Sequence, residues 1–126
     1  MVVRTGTQPG EMDQVSSKRV NKDDIEFTWE MPATNGFVIL EYDVQIFDKT
    51  TYSFITEPAI CDGKRQETIG NLECKVSSKT LTKDYGYRSG DLFVVRVRAK
   101  NRWGWGNWSV PNTKGATVFE LLPLDN

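Results

Sequence analysis

The residue types that could support covalent or metal chemistry are few in this sequence. The chain contains no histidine and two cysteines, Cys61 and Cys74. Ser-His-Asp and Cys-His nucleophilic sites and histidine-ligated metals are therefore excluded, and two cysteines alone cannot complete a structural zinc site. The acidic residues are scattered, without the spacing of a calcium loop. The sequence predicts no catalytic residue, no metal site and no cofactor, which favours a protein that is not an enzyme.

Aromatic and cationic residues are concentrated near the C-terminal end. Three of the four tryptophans fall between positions 103 and 108, directly after a predicted strand that carries a cation at every second position. Side chains two residues apart share one face of a strand, so indole rings could stack on these cations, at about 0.5–1 kcal/mol per exposed contact. The residues concerned are Arg96, Arg98, Lys100, Trp103, Trp105 and Trp108. Either they form a cation–π ladder that stiffens the last hairpin, or the loop 102–109 is exposed and binds a glycan or protein ligand.

The length and net charge of the chain, together with its short apolar runs, argue against two classes of partner, nucleic acids and membranes. The chain has 126 residues, enough for one domain with its own core, and 16 Lys and Arg against 17 Asp and Glu give a net charge of -1. No basic surplus is available to neutralise a phosphate backbone, which argues against nucleic acid as a partner. The longest apolar runs, 37–40 and 92–95, are far shorter than a membrane span, so membrane insertion is not expected.

The compartment can be inferred from the cysteines and from one sequon. Two cysteines in a chain of this length are compatible with unpaired core thiols or with a disulfide, and a disulfide would indicate an oxidising compartment. Asn107-Trp108-Ser109 is an N-glycosylation sequon. Residues 1–4 lack the apolar segment of a signal peptide, so we expect a mature segment or an excised piece with an added methionine. An extracellular or cell-surface location is favoured.

Polar and apolar residues alternate along several short segments, as in strands with one buried face. In segment 92–101, the apolar side chains at 93, 95, 97 and 99 fall on one face and the cations on the other. Turn-forming residues separate the segments, and none has a convincing helical period. The predicted strands are one within 12–15, then 24–29, 42–46, 51–55, 73–76, 92–101 and 113–121. Seven short strands at this spacing predict an all-β, two-sheet sandwich.

The two ends of the chain have the composition of linkers. Residues 1–10 contain Gly6, Pro9 and Gly10, and Pro123 interrupts the C-terminal residues 122–126. We therefore assign 1–10 as an extended linker, 11–121 as the domain, and 122–126 as a linker to a following module or terminus. In a sandwich with an odd number of strands, the first and last strands emerge at opposite poles, which allows modules to join end to end.

Three stretches of the sequence resemble the fibronectin type III family, whose domains are seven-stranded, immunoglobulin-like β-sandwiches. They are Trp-Glu-Met-Pro at 29–32 with Asn-Gly at 35–36 and Tyr-Asp-Val at 42–44; the strand 90–101 ending Val-Arg-Ala-Lys-Asn; and Gly104 with Gly106, Trp108 and Ser109. The resemblance covers roughly residues 9–123. One position departs from the family: its corner tyrosine falls on Phe93, which has no hydroxyl, so that corner needs another support.

A narrower pattern resembles modules found in tandem in large secreted proteins of protists, ciliates especially. It comprises Cys-Asp-Gly at 61–63, Cys74 with Val76, Leu81, Gly-Asp at 90–91, Ala99 with Asn101, and Gly-Ala at 115–116. This resemblance implies a Cys61–Cys74 disulfide across the loop between the two sheets. It also implies a structural or adhesion role as one unit of a tandem array or filament, with neighbouring modules or copies of the chain as partners.

The segment 105–109, Trp-Gly-Asn-Trp-Ser, resembles the Trp-Ser-x-Trp-Ser box of class I cytokine receptors, with Gly106 in place of the first serine. In that family the tryptophans interleave with arginines of the preceding strand. The same segment is similar to a C-mannosylation acceptor, with Trp105 as the modified residue. A receptor-type or carbohydrate ligand-binding module that uses loop 102–109 is therefore the alternative function.

Overall fold

A computed structural model describes residues 8–119, which form seven β-strands in two antiparallel sheets and two short helices. The elements are β1 (Ser16–Arg19), β2 (Asp24–Thr28), β3 (Glu41–Asp48), β4 (Ser53–Thr56), α1 (Gln66–Asn71), β5 (Glu73–Ser77), α2 (Ser78–Asp84), β6 (Val95–Asn101) and β7 (Gly104–Trp105). One sheet has the order β1-β2-β5 and the other the order β4-β3-β6-β7. The predicted all-β, seven-stranded sandwich is confirmed.

The core lies between the sheets and follows the predicted alternation. Every second residue of β3 and of β6 is buried, and the two strands pair so that Val44 lies opposite Val97. On the facing sheet, Ile25 and Phe27 of β2 are fully buried, and the Phe27 ring lies 5.1 Å from the ring of Phe93. Each fully buried side chain of this size contributes roughly 1.5–3 kcal/mol of transfer free energy, so this layer holds the sheets together.

The first strand lies later in the chain than predicted. Met12 and Val15 are buried, but the hydrogen-bonded strand is Ser16–Arg19, which pairs with residues 25–28 of β2. The prediction of a strand within 12–15 was wrong because it relied on the apolar residues of that segment, whereas the edge strand itself is polar and largely exposed. An edge strand with no buried face shows no alternation of polar and apolar residues, so this pattern cannot reveal it.

The expectation that the chain contains no helix was also wrong. Helices α1 and α2 have six and seven residues. The Ser77 side chain caps α2 by accepting a hydrogen bond from the Thr80 backbone N–H at 3.0 Å, and Leu81 of α2 is fully buried. A helix of fewer than two turns is too short to show a helical period.

The last predicted strand is present only as a single bridge. Leu92 pairs with Thr117, and the Phe93 N–H donates to the carbonyl of Ala116 at 3.0 Å. Ala116 and Val118 point inward as predicted, while residues 120 and 121 lie outside the described part of the chain. The regular strand that pairs with the end of β6 is the two-residue β7, which the sequence did not predict.

The corner that lacks the family tyrosine is supported by Tyr87. Its hydroxyl donates to the carbonyl of Phe47 at 2.8 Å and accepts from the Val94 N–H at 3.3 Å. Burial raises the pKa of Tyr87 to about 12, so the hydroxyl keeps its proton at neutral pH. It thereby joins the end of β3 to the chain entering β6, in place of the hydroxyl that Phe93 lacks.

The two described ends of the chain lie at opposite poles of the sandwich. At the first pole, the Gln8 carbonyl accepts from the Asn35 side chain at 2.7 Å, in the connection between β2 and β3. At the second pole, the Phe119 N–H donates to the Ser78 hydroxyl at 3.1 Å, where β5 ends. Residues 8–10 of the assigned linker contact the sandwich, whereas the rest of both assigned linkers lies outside the described residues.

Candidate functional site

The outward cations of β6 and two of the tryptophans stack in alternation. The guanidinium carbon of Arg96 lies 4.2 Å from the Trp108 ring centroid. The guanidinium carbon of Arg98 lies 4.4 Å from the centroids of both Trp108 and Trp105. The Lys100 ammonium lies 5.6 Å from the Trp105 centroid. All four distances are within cation–π range.

A phenylalanine that the sequence did not single out extends this stack. The guanidinium carbon of Arg96 also lies 4.4 Å from the ring centroid of Phe54 on β4. Strand β3 separates β4 from β6, and the register that places Phe54 beside Arg96 cannot be predicted from the sequence. We call the whole stack the ladder; in spatial order it comprises Phe54, Arg96, Trp108, Arg98, Trp105 and Lys100.

Side chains of β3 accept hydrogen bonds from the arginines of the ladder. Arg96 donates two hydrogen bonds, of 3.0 and 2.7 Å, to the side-chain oxygen of Gln45. Arg98 donates two, of 3.3 and 3.2 Å, to one oxygen of Asp43, whose other oxygen accepts from the Thr56 hydroxyl at 2.7 Å. Burial and, secondarily, the Arg98 cation lower the pKa of Arg96. The arginines are thus engaged both by rings and by acceptors within the chain.

After β7 the chain continues alongside β6 without forming a regular strand. Two polar side chains hold it there by hydrogen bonding to backbone groups in and just before β6. Ser109 is buried, and its hydroxyl accepts from the Val97 N–H at 3.0 Å. The buried Asn112 side chain accepts from the Val95 N–H and donates to the Phe93 carbonyl, both at 2.8 Å. These bonds satisfy buried backbone groups that would otherwise be costly to leave unpaired. They also hold Trp108 over the strand.

Trp103 lies outside the ladder, contrary to its inclusion in the predicted set. It sits on the hairpin between β6 and β7, is 51% exposed, and packs edge-on against Phe37 with centroids 5.8 Å apart. Val38 and Leu40, in the preceding connection, are 73% and 47% exposed. Trp103 lies in the two-residue turn between Asn101 and Gly104, whereas Trp105 pairs directly with Lys100, so only Trp105 shares the face that carries the cations. We call Phe37, Val38, Leu40 and Trp103 the tip patch.

The structure contains a disulfide between Cys61 and Cys74, with Cα atoms 5.5 Å apart. Cys61 lies in the connection from β4 to α1, and Cys74 lies on β5 in the opposite sheet. The same connection is tied to the other sheet because the Gly63 carbonyl accepts from the Tyr42 N–H at 3.0 Å. A Cβ at Gly63 would overlap the Tyr42 carbonyl, so only glycine allows this approach. The disulfide therefore fastens a segment that crosses between the two sheets.

One predicted modification site lies next to the ladder and a second lies within it. Asn107 is exposed, so its amide is reachable, whereas the sequon residue Ser109 is only 2% exposed. Trp105 is half-buried within the ladder. N-glycosylation of Asn107 and C-mannosylation of Trp105 both remain predictions.

Residues 8–119 contain no group of three or more His, Cys, Asp or Glu side chains that could hold a metal ion. Neither helix in that range is long and apolar enough to cross a membrane.

No protein-family model matches the sequence. Among curated proteins, the chain is similar to Ephrin type-A receptor 7 of Gallus gallus, with 25% identity over 112 residues. That match covers 89% of this chain and 10% of the receptor, so the chain spans about a tenth of this relative's length.

Solved structures resemble the chain over most of its length. Domains A168–A170 of titin match with a TM-score of 0.60 and 20% identity, over 89% of this chain and 32% of the titin chain. The FN1–FN3 domains of chicken CNTN1 match with a TM-score of 0.55 and 18% identity, over 84% of this chain and 32% of theirs. Together with the strand order, the buried corner hydroxyl and the two-sheet core, these matches show that the chain folds as a fibronectin type III-like β-sandwich.

Proposed function

We propose that this chain is an extracellular structural or adhesion module, one unit of a tandem array or filamentous assembly, with no catalytic activity. The observation that carries the proposal is that the described ends, Gln8 and Phe119, lie at opposite poles. Modules with this arrangement connect end to end without reversing the chain. The resemblance to tandem modules of secreted protist proteins supports the same arrangement, with neighbouring modules or copies as partners.

An extracellular or cell-surface location is supported by the chemistry of two sites. The Cys61–Cys74 disulfide is typical of oxidising compartments, and an exposed Asn107 within a sequon is typical of secreted proteins. The similarity to a protein named as a receptor agrees with this location.

We assign the ladder a structural role. Its arginines are held by Gln45 and Asp43 as well as by rings, so both guanidinium groups are already paired within the chain. A site for a polar partner would instead be expected to present unpaired groups. In an array, the ladder stiffens one sheet along the line that joins the two poles.

The assembly is tested on native material that contains this chain, by sedimentation and by negative-stain electron microscopy. We expect rods or filaments with an axial repeat of a few nanometres, because each module would add its length between the poles. Particles of about the mass of the chain, 14.3 kDa, throughout the sample would contradict the proposal.

A second candidate function, ligand binding by loop 102–109, is favoured by the exposure of Trp103. Trp105 and Trp108 are half-buried and stacked on cations, whereas Trp103 is more exposed, so a ligand of this loop would contact the tip patch. We expect acrylamide to quench Trp103 efficiently and Trp108 weakly. The variant Trp103→Phe should therefore remove most of the readily quenched fluorescence, and Trp108→Phe should remove little of it. Equal quenching in both variants would contradict this division. If Trp103→Ala melts like the parent but loses a partner, the loop is a binding site.

A further inference from the structure

A groove of about 590 Å³ runs along the outer edge of β3, between the end of β4 and the segment 58–64. Strand β4 pairs with residues 45–48 of β3 and ends at Thr56, so the earlier part of β3 has no strand beside it. The chain returns to β3 only at Gly63. Trp105 and Lys100, the last two members of the ladder, form one end of the groove. Its volume lies within the range of small-ligand sites, about 300–1,000 Å³.

The wall formed by segment 58–64 is fixed before any ligand arrives. Cys61 is bonded to Cys74, and Gly63 packs directly on the Tyr42 backbone. The Asp62 carboxylate accepts from the Lys64 N–H at 3.1 Å, which closes a turn around Gly63. A ligand would therefore not have to order this wall, a cost that usually reduces affinity.

The groove presents both hydrogen-bond donors and acceptors that the fold leaves available. Glu41 and Lys64 line it, and neither side chain forms an ion pair or hydrogen bond within residues 8–119. Asp62 has one oxygen engaged by the turn, and among the described residues the Lys100 ammonium group stacks on the Trp105 ring. Carboxylates accept and ammonium groups donate, so the lining can serve both roles at once.

We propose that this edge groove binds a neutral oligosaccharide. An anionic ligand would meet the carboxylates of Glu41 and Asp62, and a cationic ligand would meet the ammonium groups of Lys64 and Lys100. A purely apolar ligand would remove these charges from water without pairing them. Sugar hydroxyls both donate and accept, and the carbon-bound faces of a sugar ring can pack against the indole of Trp105. This site is distinct from the tip patch and extends the adhesion role to glycan recognition.

The test is an NMR titration of the 126-residue chain, recording backbone amide shifts. The probes are mannotriose and N,N′,N″-triacetylchitotriose as neutral trisaccharides, with tri-lysine and tri-glutamate as charged peptides. We expect millimolar concentrations of at least one trisaccharide to shift the amides of residues 41–44 and 62–64. No shift there with either trisaccharide, shifts confined to the tip patch, or equal shifts with either peptide would overturn the proposal.

Variants identify the groups responsible. The double variant Glu41→Gln, Lys64→Ala should weaken trisaccharide binding by about tenfold or more, since it alters two charged hydrogen-bonding groups. Neither side chain has a hydrogen-bond or ion-pair partner among the described residues, so the melting temperature should stay near that of the parent. The matched control Glu73→Gln, Lys83→Ala, at exposed positions outside the groove, should bind like the parent. Equal affinities for the two double variants would overturn the proposal, while the filament measurement would stand independently.

Discussion

Trp108→Ala is expected to lower the free energy of unfolding by about 2–4 kcal/mol, because two cation–π contacts and a large apolar area are lost together. Trp108 separates Arg96 from Arg98, and its ring lies within 4.4 Å of both guanidinium carbons. Without the ring, the two cations face each other across open space and repel. Urea unfolding followed by circular dichroism measures the change without relying on tryptophan emission.

The chain offers a matched control in Trp103→Ala, which removes the same side chain from the tip patch. Trp103 is half-exposed and outside the ladder, so its loss should cost less than about 1 kcal/mol. Trp108→Phe keeps a ring between the arginines and should give an intermediate value, which remains measurable if the alanine variant does not fold. Equal destabilisation by Trp103→Ala and Trp108→Ala would refute the structural role of the ladder.

The double variant Cys61→Ser, Cys74→Ser should be less stable than the parent by about 2–5 kcal/mol, the usual cost of removing a native disulfide from a small domain. The bond closes a loop with a sequence separation of 13 and fastens the segment that crosses between the sheets. Chemical denaturation of the oxidised parent and of the variant measures the difference.

Reduction of the parent provides the control for this comparison. With a reductant present, the parent should unfold at the same denaturant concentration as the double variant, because both then lack the cross-link. If the oxidised parent and the variant unfold together, the bond contributes no stability. Recovery of both cysteines as free thiols from native protein would contradict the disulfide and weaken the extracellular assignment.

Much of the fold could be predicted from the sequence because the central strands carry a strong period. Val44 and Val97 belong to alternating segments whose buried faces are visible in the residue order, and both are buried. The edge elements could not be predicted in this way, because the polar strand Ser16–Arg19 and the short helices bury too few residues for a period to appear. The family resemblance predicted the disulfide pairing, which the cysteine count alone left open.

The candidate sites were predictable only in part, since they depend on which strands lie side by side. The spacing of Arg96, Arg98 and Lys100 placed three cations on one face, and the following tryptophans suggested the stack. Phe54 could not be found, because its contact with Arg96 reaches across β3. Nor could the edge groove, whose wall depends on Gly63 approaching Tyr42 from a distant part of the chain. Trp103 was misplaced because a tight turn reverses the chain after Asn101.

The position of the disulfide also sets how far the molecule lengthens under mechanical load. In the proposed array, a pulling force would enter and leave each module at opposite poles and act along its whole length. An unfolded module extends by about 3.3–3.6 Å for each freed residue. The residues between Cys61 and Cys74, with a separation of 13, cannot take part while the bond is intact. Each unfolding event therefore extends an oxidised module by about 40 Å less than a reduced one. Under tension, an oxidised array would yield in shorter steps than a reduced one.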